Sequence, residues 1–320
     1  MNDNVNTAET PVLLIAWRRP QTLRLVIEAI RPVSPKWMFV ACDGPDPSRP
    51  GEVEKVAETR ALIDQEIDWA CTIQHFYSEE NLGCSLGVSR AISWFFDQVE
   101  EGIILEDDCV PHTDFFIYCS DLLNRYRADT RVWCISGSNF QSGNWRGDGS
   151  YYFSRYNHCW GWASWRRCWK HYDGTLSTWP SLRDSGLLRS MFTDPKEILY
   201  WSSIWQKLFI ENKPDSWAYR WTFTCFVNGG LTALPNVNLV SNIGFGEDAT
   251  HTTGSSSLGQ STSAIGLINP PKFILRDATA DRFTFERIFS ASPRPNIVTS
   301  TVLAAKRLVR SAMGALSDSV

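Results

Sequence analysis

Three adjacent carboxylates, Glu106, Asp107 and Asp108, have the composition of a cation-binding turn. They follow directly after the apolar run GIIL at 102–105, so we expect a buried strand to end in an acidic turn. Like charges in one turn repel one another, and they are most easily kept ionised beside a cation. Carboxylate oxygens select hard ions such as Mg²⁺ or Mn²⁺, which can also bridge a diphosphate. The sequence therefore favours a divalent metal site here over a solvated acidic loop.

Two further polar segments have the position expected of a ligand site. Asp43 follows the apolar run WMFVAC and begins a turn. The segment Asn81-Leu82-Gly83 precedes a predicted helix, where it is either an asparagine cap or a close backbone approach to a ligand. Its spacing matches neither the GxGxxG pattern nor a P-loop, and no Walker lysine follows. The sequence therefore argues against an NAD-binding site and against a P-loop nucleotide site.

A glycine-containing loop near residue 250 holds another group of polar side chains. Glu247, Asp248 and His251 lie within GFGEDATH at 244–251, which is either a surface loop or part of a site. We hypothesise that His251 completes the metal shell, since a neutral imidazole would favour Mn²⁺ over Mg²⁺. A further carboxylate, Asp215, begins the aromatic stretch 215–221.

Short apolar strands alternate with amphipathic helices over the first 140 residues. Strands are predicted at 12–16, 37–42, 71–77, 102–105 and 132–136, and helices at 21–30, 52–67, 87–99 and 115–126. This order predicts an α/β fold with a mostly parallel sheet and helices on both faces. Ligands bind such sheets at the carboxyl ends of the strands, where Asp43 and the acidic triplet are predicted to lie.

Aromatic residues dominate after about residue 150, and the periodicity weakens. Fifteen tryptophans include one group within ten residues and a second group further on: Trp160, Trp162, Trp165 and Trp169, then Trp201, Trp205, Trp217 and Trp221. These rings indicate either core packing or a wall on which sugars stack, and the sequence leaves both alternatives open.

The overall composition excludes several classes of protein. The hydrophobic content of 43% is enough for a large core, and the net charge of -4 gives no bulk reason to bind nucleic acid. No run of eighteen apolar residues and no signal-type start are present, so we expect a cytoplasmic protein. Nine scattered cysteines without a CxxC pair indicate reduced thiols and argue against structural zinc.

Six segments in order resemble bacterial nucleotide-diphospho-sugar transferases of the GT-A fold, distant relatives of eukaryotic N-acetylglucosaminyltransferase I. The segments are PVLLIAWRRP, ACDGP, ENLGCSLGV, IILEDDCVP, WGWASWRRCW and SNIGFGEDATHT. The resemblance covers about residues 10–252 and leaves the C-terminal tail outside. It implies a metal-dependent glycosyltransferase that uses Mn²⁺ or Mg²⁺ and a nucleotide-diphospho-sugar donor.

The resemblance also implies roles for individual residues. The nucleotide would be bound by residues of four segments: Ala16, Arg18, Arg19, Asp43, Asn81, Gly83, Glu106 and Asp107. Among them, Asp43 would hold the base or the ribose, and Glu106 and Asp107 would touch the ribose or metal-bound water. Asp108 would be the direct metal ligand.

The general base is the least determined of these roles. Inverting relatives use a carboxylate near a Trp-Asp-Asp-Trp segment, whereas the comparable stretch here, 215–221, has an alanine at Ala218. Asp215 is then the nearest candidate, with Glu247 and Asp248 as alternatives. Such a base would take the proton of the acceptor hydroxyl during an inverting displacement.

Two other functions remain open. A sugar-phosphate nucleotidyltransferase has a glycine-rich Lys/Arg loop after its first strand, and WRRP at 17–20 has the arginines without the glycine. A non-catalytic carbohydrate-binding protein would accommodate the departure at Ala218.

The predicted organisation is a GT-A domain at 1–252, a linker at 253–265 and a tail at 266–320. Within the domain we expect a nucleotide-binding half at about 10–140 and an acceptor half at about 141–252. The acceptor would be a glycan or a lipid-linked carbohydrate. Residues 301–316 form a predicted basic amphipathic helix, which either packs on the domain or makes weak contact with the inner membrane surface.

Overall fold

The computed structural model describes residues 6–245 and 260–290. The strands are β1 (Val12–Ala16), β2 (Trp37–Cys42), β3 (Thr72–Tyr77), β4 (Glu101–Glu106), β5 (Cys109–Pro111), β6 (Val132–Ser136), β7 (Tyr151–Ser154), β8 (Trp162–Trp165), β9 (Leu231–Pro235) and β10 (Val240–Asn242). The helices are α1 (Pro20–Ile30), α2 (Glu52–Glu66), α3 (Gly83–Gln98), α4 (Thr113–Tyr126), α5 (Arg166–Trp169), α6 (Trp179–Asp184), α7 (Leu188–Met191), α8 (Pro195–Glu211), α9 (Trp217–Val227) and α10 (Ala278–Thr284).

Eight strands form one sheet in the order β3-β2-β1-β4-β8-β6-β9-β7. Among these eight, β8 runs antiparallel to both β4 and β6, and β7 runs antiparallel to β9. The other neighbouring pairs are parallel, so the predicted α/β fold with a mostly parallel sheet is confirmed. Two short strands, β5 and β10, form a separate antiparallel pair.

The central strands are apolar because they are covered on both faces. Every residue of β1 and β6 is buried, as are five of the six residues of β2. These strands end at the predicted positions, and β4 extends the predicted strand to include Glu106. The carboxyl ends of β1, β2 and β4 therefore lie side by side at one edge of the sheet.

Helix α3 begins at Gly83, four residues before the predicted start at 87. The first-turn N–H groups of a helix lack partners within the helix and need outside acceptors. Here the carboxylates of Asp43 and Asp215 supply them, from 40 and 131 residues away in sequence. Such non-local caps have no signature in the local sequence, so the prediction placed the start too late.

Most of the tryptophans in the two groups are core residues. Seven are almost completely buried: Trp162, Trp165, Trp169, Trp201, Trp205, Trp217 and Trp221. They pack against one another, as in the pair Trp162–Trp217, whose ring centroids are 5.6 Å apart. Core packing therefore explains the tryptophan content, and a continuous sugar-stacking wall is excluded for these seven rings. Trp160 alone of the eight remains half-exposed.

Residues 266–290, expected to belong to a separate tail, pack against the main sheet. The Asp277 N–H donates to the Phe153 carbonyl on β7 over 2.8 Å. Helix α10 places Asp281, 1% exposed, against Ser154, Arg155 and Arg276. Burial raises the pKa of Asp281 to about 6, although Ser154 and Arg276 oppose the shift. Most of the predicted linker, and all of 301–316, lie outside the described residues.

All nine cysteines are free thiols, and six of them are buried, as expected for reduced core residues. Among the helices of the described ranges, none has the length and apolar character needed to cross a membrane.

Candidate active site

One cavity of about 460 Å³ lies at the carboxyl ends of β1, β2 and β4. Ten of the residues predicted for the site line it: Ala16, Arg18, Arg19, Asp43, Asn81, Gly83, Glu106, Asp107, Asp108 and Asp215. They come from five separated parts of the chain, and β1 and its two parallel neighbours bring them together. The remaining three predicted residues, Glu247, Asp248 and His251, lie outside the described residues.

The acidic turn is neutralised by an arginine of the chain itself. Arg19 pairs with Asp107 through one guanidinium nitrogen and with Asp108 through the other, the latter over 2.8 Å. Asp107 also accepts the backbone N–H of Trp17 over 3.2 Å and is 2% exposed. Burial opposes ionisation of Arg19, but the two carboxylates outweigh this effect and raise the guanidinium pKa. Arg19 is therefore the fixed counter-charge of this turn.

The environment of Glu106 raises the pKa of its carboxyl group. Burial raises its pKa to about 8, and the charges of Asp108 and Asp107 add to the shift. The side chain of Trp217 on α9 is hydrogen-bonded to this carboxyl group. Burial and the two neighbouring charges therefore favour the protonated form of Glu106.

Arg18 is held at the rim of the cavity by a buried carboxylate. Its guanidinium donates to Glu52 over 2.9 Å and lies 4.3 Å from the centroid of the Trp17 ring. The Trp17 indole N–H donates in turn to the Gly44 carbonyl over 3.1 Å. These contacts join the end of β1 to the turn after β2, and they present an arginine and an aromatic ring to the same space.

The Asp43 carboxylate is hydrogen-bonded to backbone N–H groups. Its carboxylate accepts the N–H groups of Gly44, Leu82 and Gly83 over 2.9 to 3.1 Å. Burial raises the pKa of Asp43, and these backbone donors oppose the shift. The Asn81 amide meanwhile donates to the Gly44 carbonyl over 3.2 Å. Asp43 and Asn81 therefore order the loops around the predicted nucleotide pocket, in addition to lining it.

Asp215 reaches the same helix from the second half of the chain. Its two carboxylate oxygens accept the N–H groups of Cys84 and Ser85 over 2.9 and 3.0 Å. Gly83 makes this approach possible, because a Cβ at that position would lie 2.7 Å from the nearer Asp215 oxygen. An ionised carboxylate has about four acceptor positions, so two remain for a substrate hydroxyl.

Three further residues line the cavity: Trp160, Asn242 and Gly244. The sequence leaves Trp160 open between core packing and sugar stacking, and Gly244 belongs to the loop expected to be either surface or site. Asn242 has no role predicted from the sequence. Trp160 is positioned by the antiparallel strand β8, whose Trp162 pairs with Ile104 of β4. Trp160 lies two residues before this strand, beyond Gly161, and it lines the same cavity as Glu106. The WGWASW run contains Trp160, but nothing local distinguishes a ring that faces a cavity from its buried neighbours.

The cavity fits a divalent ion at Asp108. In the ranges 6–245 and 260–290, no three His, Cys, Asp or Glu side chains form a ready-made metal cage. A divalent ion held by one carboxylate and substrate phosphates does not need one. The Asp107 side chain is 3% exposed, whereas the Asp108 side chain is 14% exposed, and both line the cavity. The hard oxygen donors thus suit Mg²⁺ or Mn²⁺, with Arg19 sharing the same carboxylate.

Comparison with known proteins gives only weak structural likenesses. No family model and no curated protein sequence matches the chain. A solved 4-diphosphocytidyl-2C-methyl-D-erythritol synthase from Anaerococcus prevotii is 10% identical, with a TM-score of 0.32, over 62% of this chain and 99% of its own. HddC from Yersinia pseudotuberculosis is 9% identical, with a TM-score of 0.33, over 53% of this chain and 83% of its own. Likenesses this weak carry no argument about function.

Proposed function

We propose that the protein is a glycosyltransferase that moves a sugar from a nucleotide-diphospho-sugar to a carbohydrate acceptor. The observation that carries the proposal is the convergence of five chain segments on one cavity. One of them contributes Asp215, whose carboxylate accepts an N–H of the first turn of α3. This cavity combines a pocket for a nucleoside, charged groups for a diphosphate and a carboxylate from the second half of the chain.

The nucleoside would occupy the part of the cavity between β2, β3 and α3. That part is lined mainly by apolar side chains: Ala41, Cys42, Phe76, Val88 and Ala91. Trp17 and Arg18 lie at its rim, where an aromatic ring and a guanidinium suit a base and a phosphate. The diphosphate would then extend past the end of β1 toward Asp108, which follows β4.

Different side chains of the protein would have different roles in the transfer. Arg19 holds Asp107 and Asp108 in place, and Arg18 offers a second cation near the departing phosphate. A divalent ion bound at Asp108 would stabilise the negative charge that develops on the leaving nucleoside diphosphate. Asp215 would accept the proton of the acceptor hydroxyl, with Glu247 and Asp248 as the rivals for this role.

A binding experiment tests the proposal directly. Calorimetry with UDP and with GDP, each with Mn²⁺ or with EDTA, should show metal-dependent affinity for the wild-type protein. Asp108→Asn should weaken the metal-dependent affinity by at least about tenfold. Asp148→Asn is the matched control, since that carboxylate is half-exposed and absent from the lining of the cavity. Equal metal-dependent affinity in all three proteins would remove Asp108 from the site.

The second candidate is a sugar-phosphate nucleotidyltransferase. The observation that favours it is that Arg18 and Arg19 lie just after β1, beyond Trp17, and both line the cavity, where they would meet a triphosphate. Incubation with nucleoside triphosphates and a sugar 1-phosphate separates the candidates. Release of pyrophosphate would support the nucleotidyltransferase, whereas release of nucleoside diphosphate from a nucleotide-sugar, on adding an acceptor, would support the glycosyltransferase.

A further inference from the structure

Two tryptophans of the described residues line the cavity, and they belong to different parts of it. The Trp17 indole is hydrogen-bonded to Gly44, beside the predicted nucleoside pocket. Trp160 lies two residues before β8, and its ring contacts Phe245, whose neighbour Gly244 lies against the Asp108 carboxylate. The two rings are therefore placed to meet different parts of one elongated ligand.

Trp160 is held in a fixed position. Its carbonyl accepts the Ser138 hydroxyl over 3.0 Å. The next residue, Gly161, has a φ of 65°, and a Cβ there would lie 2.6 Å from a Val240 methyl group. The ring makes edge-type contacts with Phe140 and Phe245, with centroids 5.4 and 5.8 Å apart. Neither neighbour stacks parallel on the indole, and the residue stays half-exposed at the cavity.

The groups around Trp160 are those that recognise a pyranose. A sugar ring presents an apolar C–H face, which packs on an aromatic ring, and hydroxyl groups, which donate to carboxylates. The lining of the cavity provides both, since Asp108 and Asp215 line the same cavity as this indole. A sugar attached to a diphosphate at Asp108 would lie within reach of Trp160, because the Trp160 ring contacts Phe245 and the adjacent Gly244 lies against the Asp108 carboxylate.

We propose that Trp160 is the platform for the glycosyl group of the donor and that it determines which sugar the cavity accepts. The inference rests on the proposed binding of a nucleotide-diphospho-sugar. It assigns the indole to the transferred sugar and assigns Trp17 to the nucleoside.

Calorimetry with matched pairs of ligands tests this assignment. The probes are UDP with UDP-glucose and UDP-N-acetylglucosamine, and GDP with GDP-mannose, all in Mn²⁺. For the pair that the wild type binds best, Trp160→Ala should weaken the nucleotide-sugar about tenfold and change the nucleoside diphosphate less than about twofold. Trp17→Ala should weaken both ligands by the same factor. Trp145→Ala, which is 59% exposed and outside the cavity lining, should change neither.

Two further variants keep the test decisive if Trp160→Ala loses its fold. Trp160→Phe retains a flat ring and should keep most of the sugar-dependent affinity, whereas Trp160→Leu retains apolar bulk and should lose it. Equal weakening of nucleoside diphosphate and nucleotide-sugar, or no weakening of either, would overturn the role of Trp160. A wild-type protein that binds none of the probes would instead overturn the proposed function, and the assignment of Trp160 with it.

Discussion

Removal of the Arg19 guanidinium is the sharpest test of how the acidic turn is stabilised. Arg19→Gln leaves Asp107 and Asp108 without their counter-charge, at side-chain exposures of 3% and 14%. Breaking a buried ion pair from one side costs about 3–5 kcal/mol. One guanidinium serves both carboxylates, so we expect this loss once and not twice. The free energy of unfolding in urea, at pH 7 with EDTA, is the measurement.

A surface pair provides the matched control. Arg24 pairs with Glu66, but its side chain is 47% exposed, so Arg24→Gln should cost less than about 1 kcal/mol. Arg19→Lys should fall between the two, because it keeps the charge and loses the planar fork that contacts two carboxylates.

Added metal provides the second arm of the experiment. A divalent ion that binds Asp108 can replace the missing guanidinium, so Mn²⁺ should restore part of the stability of Arg19→Gln. The gain follows RT ln(1 + [Mn²⁺]/Kd) and should exceed the gain of the wild type, where Arg19 competes for the carboxylate. A loss of less than about 1 kcal/mol in EDTA, or an equal effect of Mn²⁺ on both proteins, would refute this account of the turn.

Three other predictions concern single carboxylates. Asp43→Ala removes the carboxylate that accepts three backbone N–H groups, so it should lower the free energy of unfolding in urea by about 1–2 kcal/mol. It should also lower nucleotide affinity more than kcat. A lower kcat at unchanged KM would contradict this role. Asp215→Asn should cut transfer about 10²-fold or more, measured as product formed, with donor affinity by calorimetry retained; full activity would move the base to Glu247 or Asp248. Because the folded pKa of Asp281 is raised to about 6, its contribution to stability is present below about pH 4 and is lost as the pH rises to 6. The unfolding free energy of the wild type relative to Asp281→Asn should therefore fall by on the order of 2–3 kcal/mol between pH 4 and 7, and a rise would show that the arginine pairs dominate.

The first half of the chain was predictable because its signals are local. Apolar strands such as VLLIA at 12–16 alternate with amphipathic helices, and this pattern alone sets a parallel sheet. The rule that ligands bind at the carboxyl ends of strands then places Asp43 and Asp108 at one edge. The structure accordingly brings those residues to a common cavity.

The second half was less predictable because its contacts are non-local. The strands β7, β8 and β9 have four or five residues each, too few to show periodicity, and their order in the sheet does not follow the chain. The pairing of Arg19 with the acidic turn joins residues 88 and 89 positions apart. Nothing in either segment reveals that an arginine, rather than a metal alone, balances the carboxylates.

The position of β8 has a consequence for synthesis of the protein. β4 and β6 are not hydrogen-bonded to each other, because β8 lies between them and pairs with both. Until Trp162–Trp165 emerges from the ribosome, the edge of β4 has no partner on that side. The 56 positions between Glu106 and Trp162 take roughly 3–11 s to translate at about 5–20 residues per second. During that interval the nascent chain exposes an apolar strand edge, so chaperone binding is expected to concentrate on nascent chains of this length.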